Sequence, residues 1–275
     1  MKKIILVVFS VMISSVILAQ DKQKIKGNKQ VITTSKSIDK AFYKIEIDDA
    51  LELSINQADK NSYVLTTDKN LHEVINFEVI DSVLKIATTR KIARSKKLKI
   101  ALDFVKLEKI TLKNGAKIKG DGIFNSKVIH IDSYNSSEFE LDLKAEKVIV
   151  NMLGKSKGTL KIKGTNTTFL MSDKARLEAH VLADNVTAKL INSADLNLEG
   201  EAKKATFSLK EAADMKAKEM KISEVDIYTS GNADTSIYAE KKLTLYAEGK
   251  SKIEIYGAPI IELKGFKGTA KLFKK

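Results

Sequence analysis

The chain has 275 residues, no cysteine, no tryptophan and a formal charge of +13 at pH 7. The missing thiol excludes disulfides, zinc–thiolate sites, cysteine nucleophiles and a lipidated cysteine at an export cleavage site. The cationic excess favours anionic partners, but "SKKLK", "KIKG" and "KLFKK" lie apart among acidic residues and no nucleic-acid-reading motif is present; the basicity reads as a general bias, and nucleic acid is not an expected partner.

In chain order, Lys2 and Lys3 precede the apolar run "IILVVFSVMISSVILA", which ends at Ala19 and turns polar at "QDKQK". This is the pattern of a secretory signal peptide over residues 1–20, and it falls short of the roughly twenty apolar residues of a spanning helix. No later stretch is long and apolar enough to cross a bilayer, so the expectation is export to the periplasm, the outer cell surface or the medium, with no transmembrane segment. Residues 21–34 are expected to be disordered or extended. A single β-helix domain is expected over residues 35–273. Its first part, to about residue 110, holds strands by alternation in "YKIEID", "LELSIN", "YVLTTD", "NFEVID" and "VLKIATT". "DKNLHEVI" suits one helical turn, and "RSKKLK" an exposed loop. This region is expected to supply the first coils and a cap over the end of the core, since a bare end invites aggregation.

From residue 116 the chain repeats. Small residues open each unit at Ala116, Ser137, Ser156, Ala175, Ala194, Ala213, Ala233, Ser251 and Thr269, at intervals of 18–21 residues, and Ala50 reads as an earlier copy. Six residues before each small residue from Ser137 onward stands an apolar one: Ile131, Val150, Phe169, Ala188, Phe207, Ile227, Leu245 and Leu263. Positions two and four after it are mostly aliphatic too, as in Leu196 and Leu198, while the position directly after it is charged in every unit from Lys117 to Lys252. Matching position to position between units is what parallel stacking at about 4.8 Å requires. The fold class is therefore all-β, a single-stranded right-handed parallel β-helix (solenoid) of about ten coils, each coil holding two strands of four to six residues and burying its inner face against its neighbours.

Two outward features deserve weighing. Asp195, Asp214 and Asp234 fall on successive coils; three stacked carboxylates could take Ca²⁺ or act as a general acid and base pair, yet the plainer reading is a solvated ladder beside Lys203, Lys204 and Lys216. Tyr228 and Tyr246 share one outward column, and Tyr238 and Tyr256 another. Each ring offers a flat apolar face and a hydroxyl to a sugar or a partner protein, against the alternative that such pairs simply stabilise the sheet. His72, His130 and His180 lie on distant coils, and no phosphate loop, serine elbow or HExxH pattern occurs, so no catalytic, cofactor or metal site is expected. The C-terminal "GFKGTAKLFKK" offers no amphipathic helix to cover the last coil, which suggests homo-oligomer formation or docking there.

The phrases "FYKIEIDDALELSI", "VIDSVLKI" and "LKIALDFVKLEKITLKNGAKIKGDG", leading into units of the "SADLNLEG" kind, resemble the auto-transporter adhesin head domain, the GIN domain family of unknown function abundant in Bacteroidetes. The resemblance spans roughly residues 35–270. It implies a β-helix and an adhesin class of role, and it carries no site residues. Members often have Gly-rich "SGS" turns where this chain has "NGA", "GKS", "SAD" and "EAA". The expected function is that of an exported non-enzymatic solenoid binding a glycan or a surface protein; the rival is a carbohydrate-active β-helix lyase or hydrolase acting on an acidic glycan.

Overall fold

The computed structural model describes residues 22–275, so the signal peptide expected over residues 1–20 lies outside the described residues. The chain forms β1 (Lys24–Lys26), β2 (Val31–Ser37), β3 (Lys44–Ile47), β4 (Glu52–Gln57), β5 (Ser62–Asp68), one 3-10 turn (Lys69–Leu71), β6 (Ile75–Ile80), β7 (Val83–Thr88), β8 (Lys91–Arg94), β9 (Leu98–Phe104) and β10 (Lys109–Leu112). Seven long strands follow: β11 (Lys117–Ser133), β12 (Glu138–Met152), β13 (Lys157–Met171), β14 (Arg176–Leu190), β15 (Asp195–Leu209), β16 (Asp214–Thr229) and β17 (Asp234–Ala247). β18 (Lys252–Tyr256), β19 (Ile260–Phe266) and β20 (Lys271–Lys274) complete a parallel solenoid of about nine turns.

The columns predicted from spacing are the observed register. Ile131, Val150, Phe169, Ala188, Phe207, Ile227, Leu245 and Leu263 stack in that order. Phe169, Ala188 and Phe207 are all buried; a small residue between two rings keeps successive coils at strand spacing with the core filled. The expected pair of short strands per unit is corrected: β12 to β15 each run 15 residues without interruption. They bend instead of breaking. At the bend Ala145 stacks on Gly164 and Ala183 on Ala202, and a Cβ on Gly164 would stand 2.1 Å from the Ala145 carbonyl oxygen. Backbone meets backbone at this corner, so small residues turn the chain; alternation slips there by one residue, two outward positions falling together at Glu146 and Lys147 and at Thr165 and Asn166 before burial resumes at Val148 and Thr167.

The real turn of each coil lies two residues before the buried small residue. Asn114, Asn135, Asp173, Asn192 and Glu211 hold positive φ there, as do Gly154, Gly231 and Gly249. Asn and Gly tolerate this conformation best. In the last coil Gly268 has positive φ, and Ala270 stands in the column in place of the expected Thr269, which is exposed: Lys271 pairs with Lys252, one residue after Ser251. The Asx side chains also run a ladder between coils: Asn135 Nδ2 donates to Asn114 Oδ1 at 2.8 Å, and Asn192 Nδ2 to Asp173 Oδ1 at 3.0 Å.

The N-terminal third stacks out of chain order. β3 and β4 pair in parallel with β10 and β11, although five strands intervene in sequence. β7 and β9 then lie outside β3 and β4, and antiparallel strands finish the end: β6 on β7, β5 on β9, and β2 on β5. Tyr63 of β5 and Phe77 of β6, strands that do not pair with each other, stack at 3.8 Å between ring centroids and tie the cap together. Ala50 does not open a coil. Lys117 pairs with Glu52, which sets Leu51 under Ala116 and shifts that copy by one residue. The segment expected to be disordered or extended contributes β1 and the first half of β2. At the other end no strand covers β19 and β20 among the described residues, and the core-facing Leu263 is 55% exposed.

Candidate functional site: outward columns of the solenoid

The tyrosines separate into two sites. Tyr228 and Tyr246 neighbour each other on the closing halves of β16 and β17, with ring centroids 5.1 Å apart and planes 11° from parallel. Both hydroxyls donate to one carboxylate, Tyr228 to Glu248 Oε1 at 2.7 Å and Tyr246 to Oε2 at 3.1 Å. These bonds hold the Glu248 carboxyl below its ordinary range and push the Tyr228 hydroxyl up. Lys210, one coil earlier, lies 5.9 Å from the Tyr228 centroid, and Lys267, one coil later, 5.7 Å from that of Tyr246. The stack is therefore cation, ring, ring, cation, with both hydroxyls engaged. Tyr238 and Tyr256 neighbour each other elsewhere, in the opening half of β17 and at the end of β18, half-buried. Glu248, which organises the first pair, was missed because it sits in a turn, "AEGKS", where alternation gives no orientation.

Asp195, Asp214 and Asp234 do stack on successive coils. Partial burial pushes the Asp214 carboxyl up; Asp195 and Asp234 add to this, and Lys216 opposes it. Lys203 and Lys204, expected beside this column, are elsewhere: they pair with Asp184 at 2.7 Å and with Glu224 at 3.3 Å, past the bend. Of the three lysines, Lys216 alone acts on the acids. Among the described residues, no group of three or more His, Asp or Glu side chains is arranged to hold a metal ion. Below the acids, towards the cap, runs a shallow trough of about 590 Å³ with Lys157, Arg176, Glu178 and Asn197 on its walls. Its lower rungs are tied by ion pairs between coils, Lys117 to Glu138 at 2.8 Å and Lys119 to Glu140 at 2.9 Å.

His72 belongs to the cap, where its ring reaches Thr34 Oγ1 and the Ile32 carbonyl at 3.4 Å; His130 and His180 sit on β11 and β14. One cluster escapes a reading of local sequence altogether. "KIKG" and "RKIARSKKLK", some sixty residues apart, pair as β1 and β8. The reading of the basic stretches as dispersed is thereby corrected for this pair.

Comparison with known proteins bears on this architecture. A putative adhesin from Parabacteroides distasonis has the same fold over 92% of this chain and 100% of its own, at a TM-score of 0.72 and 19% identity. A putative adhesin from Parabacteroides merdae matches over 92% and 99%, at 0.70 and 18%. A further Parabacteroides distasonis protein, described as a putative lipid binding protein, matches over 92% and 100%, at 0.66 and 19%. At such identities the likeness is one of fold. No curated protein matches the chain in sequence. A family model covers residues 41–171 and again 157–259, the double fit that similar stacked coils allow. The chain thus belongs to the family described as "Putative auto-transporter adhesin, head GIN domain".

Proposed function

We propose that this protein is an exported, non-enzymatic adhesin-type solenoid that binds a glycan or a surface protein through its outer face. The observation that carries the reading is the regular stacking of outward side chains. They tie coil to coil, as in Lys117 to Glu138 and Lys242 to Glu262 at 3.1 Å, on strands joined by turns of only a few residues. Such a surface is a rigid, extended platform rather than a cleft around reacting atoms. On this reading Tyr238 and Tyr256 are the tyrosines offered to a ligand, since the hydroxyls of Tyr228 and Tyr246 are already held by Glu248. The open last coil, with Leu263 and Phe266 core-facing and part exposed, is the surface through which copies would associate.

A panel of neutral and acidic glycans, read for retention and for released product, tests the function. Retention without turnover supports it; released product would instead establish the rival lyase or hydrolase. Cell fractionation with mass measurement of the mature chain tests export, the expected result being a periplasmic, surface or secreted protein without residues 1–20.

A further inference from the structure

The β1–β8 pair brings two basic segments, distant in sequence, onto one surface. Segments 22–29 and 90–97 carry nine lysines and arginines and no acidic residue. The pairing sets Lys24 beside Lys91 and Lys26 beside Arg94, all four exposed, while Ile25 and Ile92 are half-buried and Ile92 packs on the core. Of the nine cations Lys22 is ion-paired, to Asp49 at 2.6 Å. The other eight make no ion pair among the described residues. Like charges directly opposite one another destabilise a strand pair, so the arrangement works against folding unless an anion relieves it.

The ridge is nonetheless fixed, and by groups other than its charges. Gly27 N donates to the Arg94 carbonyl at 2.8 Å and Lys91 N to that of Gln23 at 3.0 Å. Asn70 bridges to the chain twice, accepting from Asn28 N and donating to the Lys26 carbonyl, both at 2.9 Å. Beneath lies Asp68, fully buried, whose Oδ2 accepts from Lys96 N at 2.7 Å. A Cβ on Gly27 would come within 2.5 Å of that same oxygen, so the strand is pressed onto the cap at a point where only glycine fits. The cations are thus held in a preorganised array with their head groups free, spaced about 4.8 Å across the strands and about 7 Å between alternate residues along them.

We infer that this ridge binds a linear anionic polysaccharide, one bearing sulfate or uronate groups; the inference rests on the surface-binding reading above and assigns that reading a ligand class. Charge at strand spacing suits a chain of repeated anions. Neither segment contains an aromatic residue, so bases have nothing to stack on as they do in single-strand nucleic-acid sites. Neither segment has an exposed large apolar side chain, so nothing inserts into lipid as interfacial anchors do.

The test is equilibrium binding of the mature chain to immobilised heparin for sulfate, polygalacturonate for uronate and dextran as the neutral control, with phosphatidylglycerol vesicles and single-stranded DNA alongside. Binding to heparin, polygalacturonate or both is expected, with none to dextran, and it should fall about tenfold or more between 50 and 200 mM salt as counterions compete. Replacing Lys24, Lys26, Lys91 and Arg94 together by Ser should weaken binding at least about tenfold while leaving the melting temperature unchanged or raised, because repulsion is removed. Replacing Lys127, Lys144, Lys147 and Lys163 by Ser removes the same charge from exposed positions elsewhere and should change affinity less than about twofold, whereas a purely net-charge effect would act on both variants alike. Equal loss in the two variants, or preference for vesicles or DNA over both acidic glycans, would overturn the assignment. Retention of glycan by the ridge variant at full strength would also overturn it, while leaving the adhesin reading intact.

Discussion

Gly158 offers a direct test of the stacking. It stands two residues after Ser156, at a core-facing position where its stacking neighbours are Phe139 and Leu177. Its φ lies outside the left-handed region, so alanine is conformationally welcome and the effect of Gly158→Ala is steric. The added Cβ would lie 2.3 Å from Phe139 Cζ and 2.9 Å from Leu177 Cδ1. Phe139 thus extends under the next coil into the space that glycine leaves. Both neighbours are packed in the core, so the overpacking cost is about 1–3 kcal/mol, which for a chain of this size lowers the melting temperature by very roughly 2–10 °C. Far-UV circular dichroism on Gly158→Ala, Phe139→Leu and the double variant measures it. The smaller side chain should restore at least about 1 kcal/mol in the double variant, a coupling that only residues in contact show. Strictly additive effects, or an alanine variant as stable as the parent, would refute this register.

Four further outcomes follow from the same geometry. Glu211 is the one long side chain in the ladder of positive-φ turn residues, at φ 62, so Glu211→Asn should stabilise by about 1 kcal/mol in chemical denaturation. Asp214→Asn should raise the melting temperature at pH 7: burial and the flanking Asp195 and Asp234 disfavour its charged form, and the parent's deficit should shrink as acid protonates the group. Glu248 has the opposite sign. Its carboxyl is held down by Tyr228 and Tyr246, so its contribution is present above the ordinary carboxylate range and lost as pH falls through the lowered value; Glu248→Gln should flatten that acid limb of a stability–pH profile. Leu263→Lys on the open coil should turn any oligomer seen by light scattering at high concentration into monomer, and unchanged association would place the interface elsewhere.

Where coils stack in chain order, local sequence carries their register. Ser137, Ser156, Ala175 and Ala194 announce their turns because each coil repeats the demand for a buried small residue after a positive-φ one. The bend at Ala145 and Gly164 is written only as a one-residue slip in alternation, and such a slip looks the same as a break, so one bent strand reads as two. The cap is harder still. β3 and β4 stack on β10 and β11 across the whole of β5 to β9, and antiparallel pairing there removes the position-to-position match that reveals the repeat. The shift from Ala50 to Leu51 comes from the same place. On the surface, alternation put the acidic column and both tyrosine pairs in their correct registers, since orientation follows from period two. It could not find Glu248, which lies in a turn, nor the meeting of β1 with β8, which depends on tertiary contacts through Asn70 and Asp68.

The account's central claim is that this solenoid binds at its surface and does not turn its ligand over. Incubating the mature protein with acidic and neutral glycans, and recording bound and cleaved material in one experiment, tests that most directly. Saturable retention of an intact glycan is the predicted result; shortened or unsaturated products accumulating with time and enzyme-like proportion to protein would contradict it.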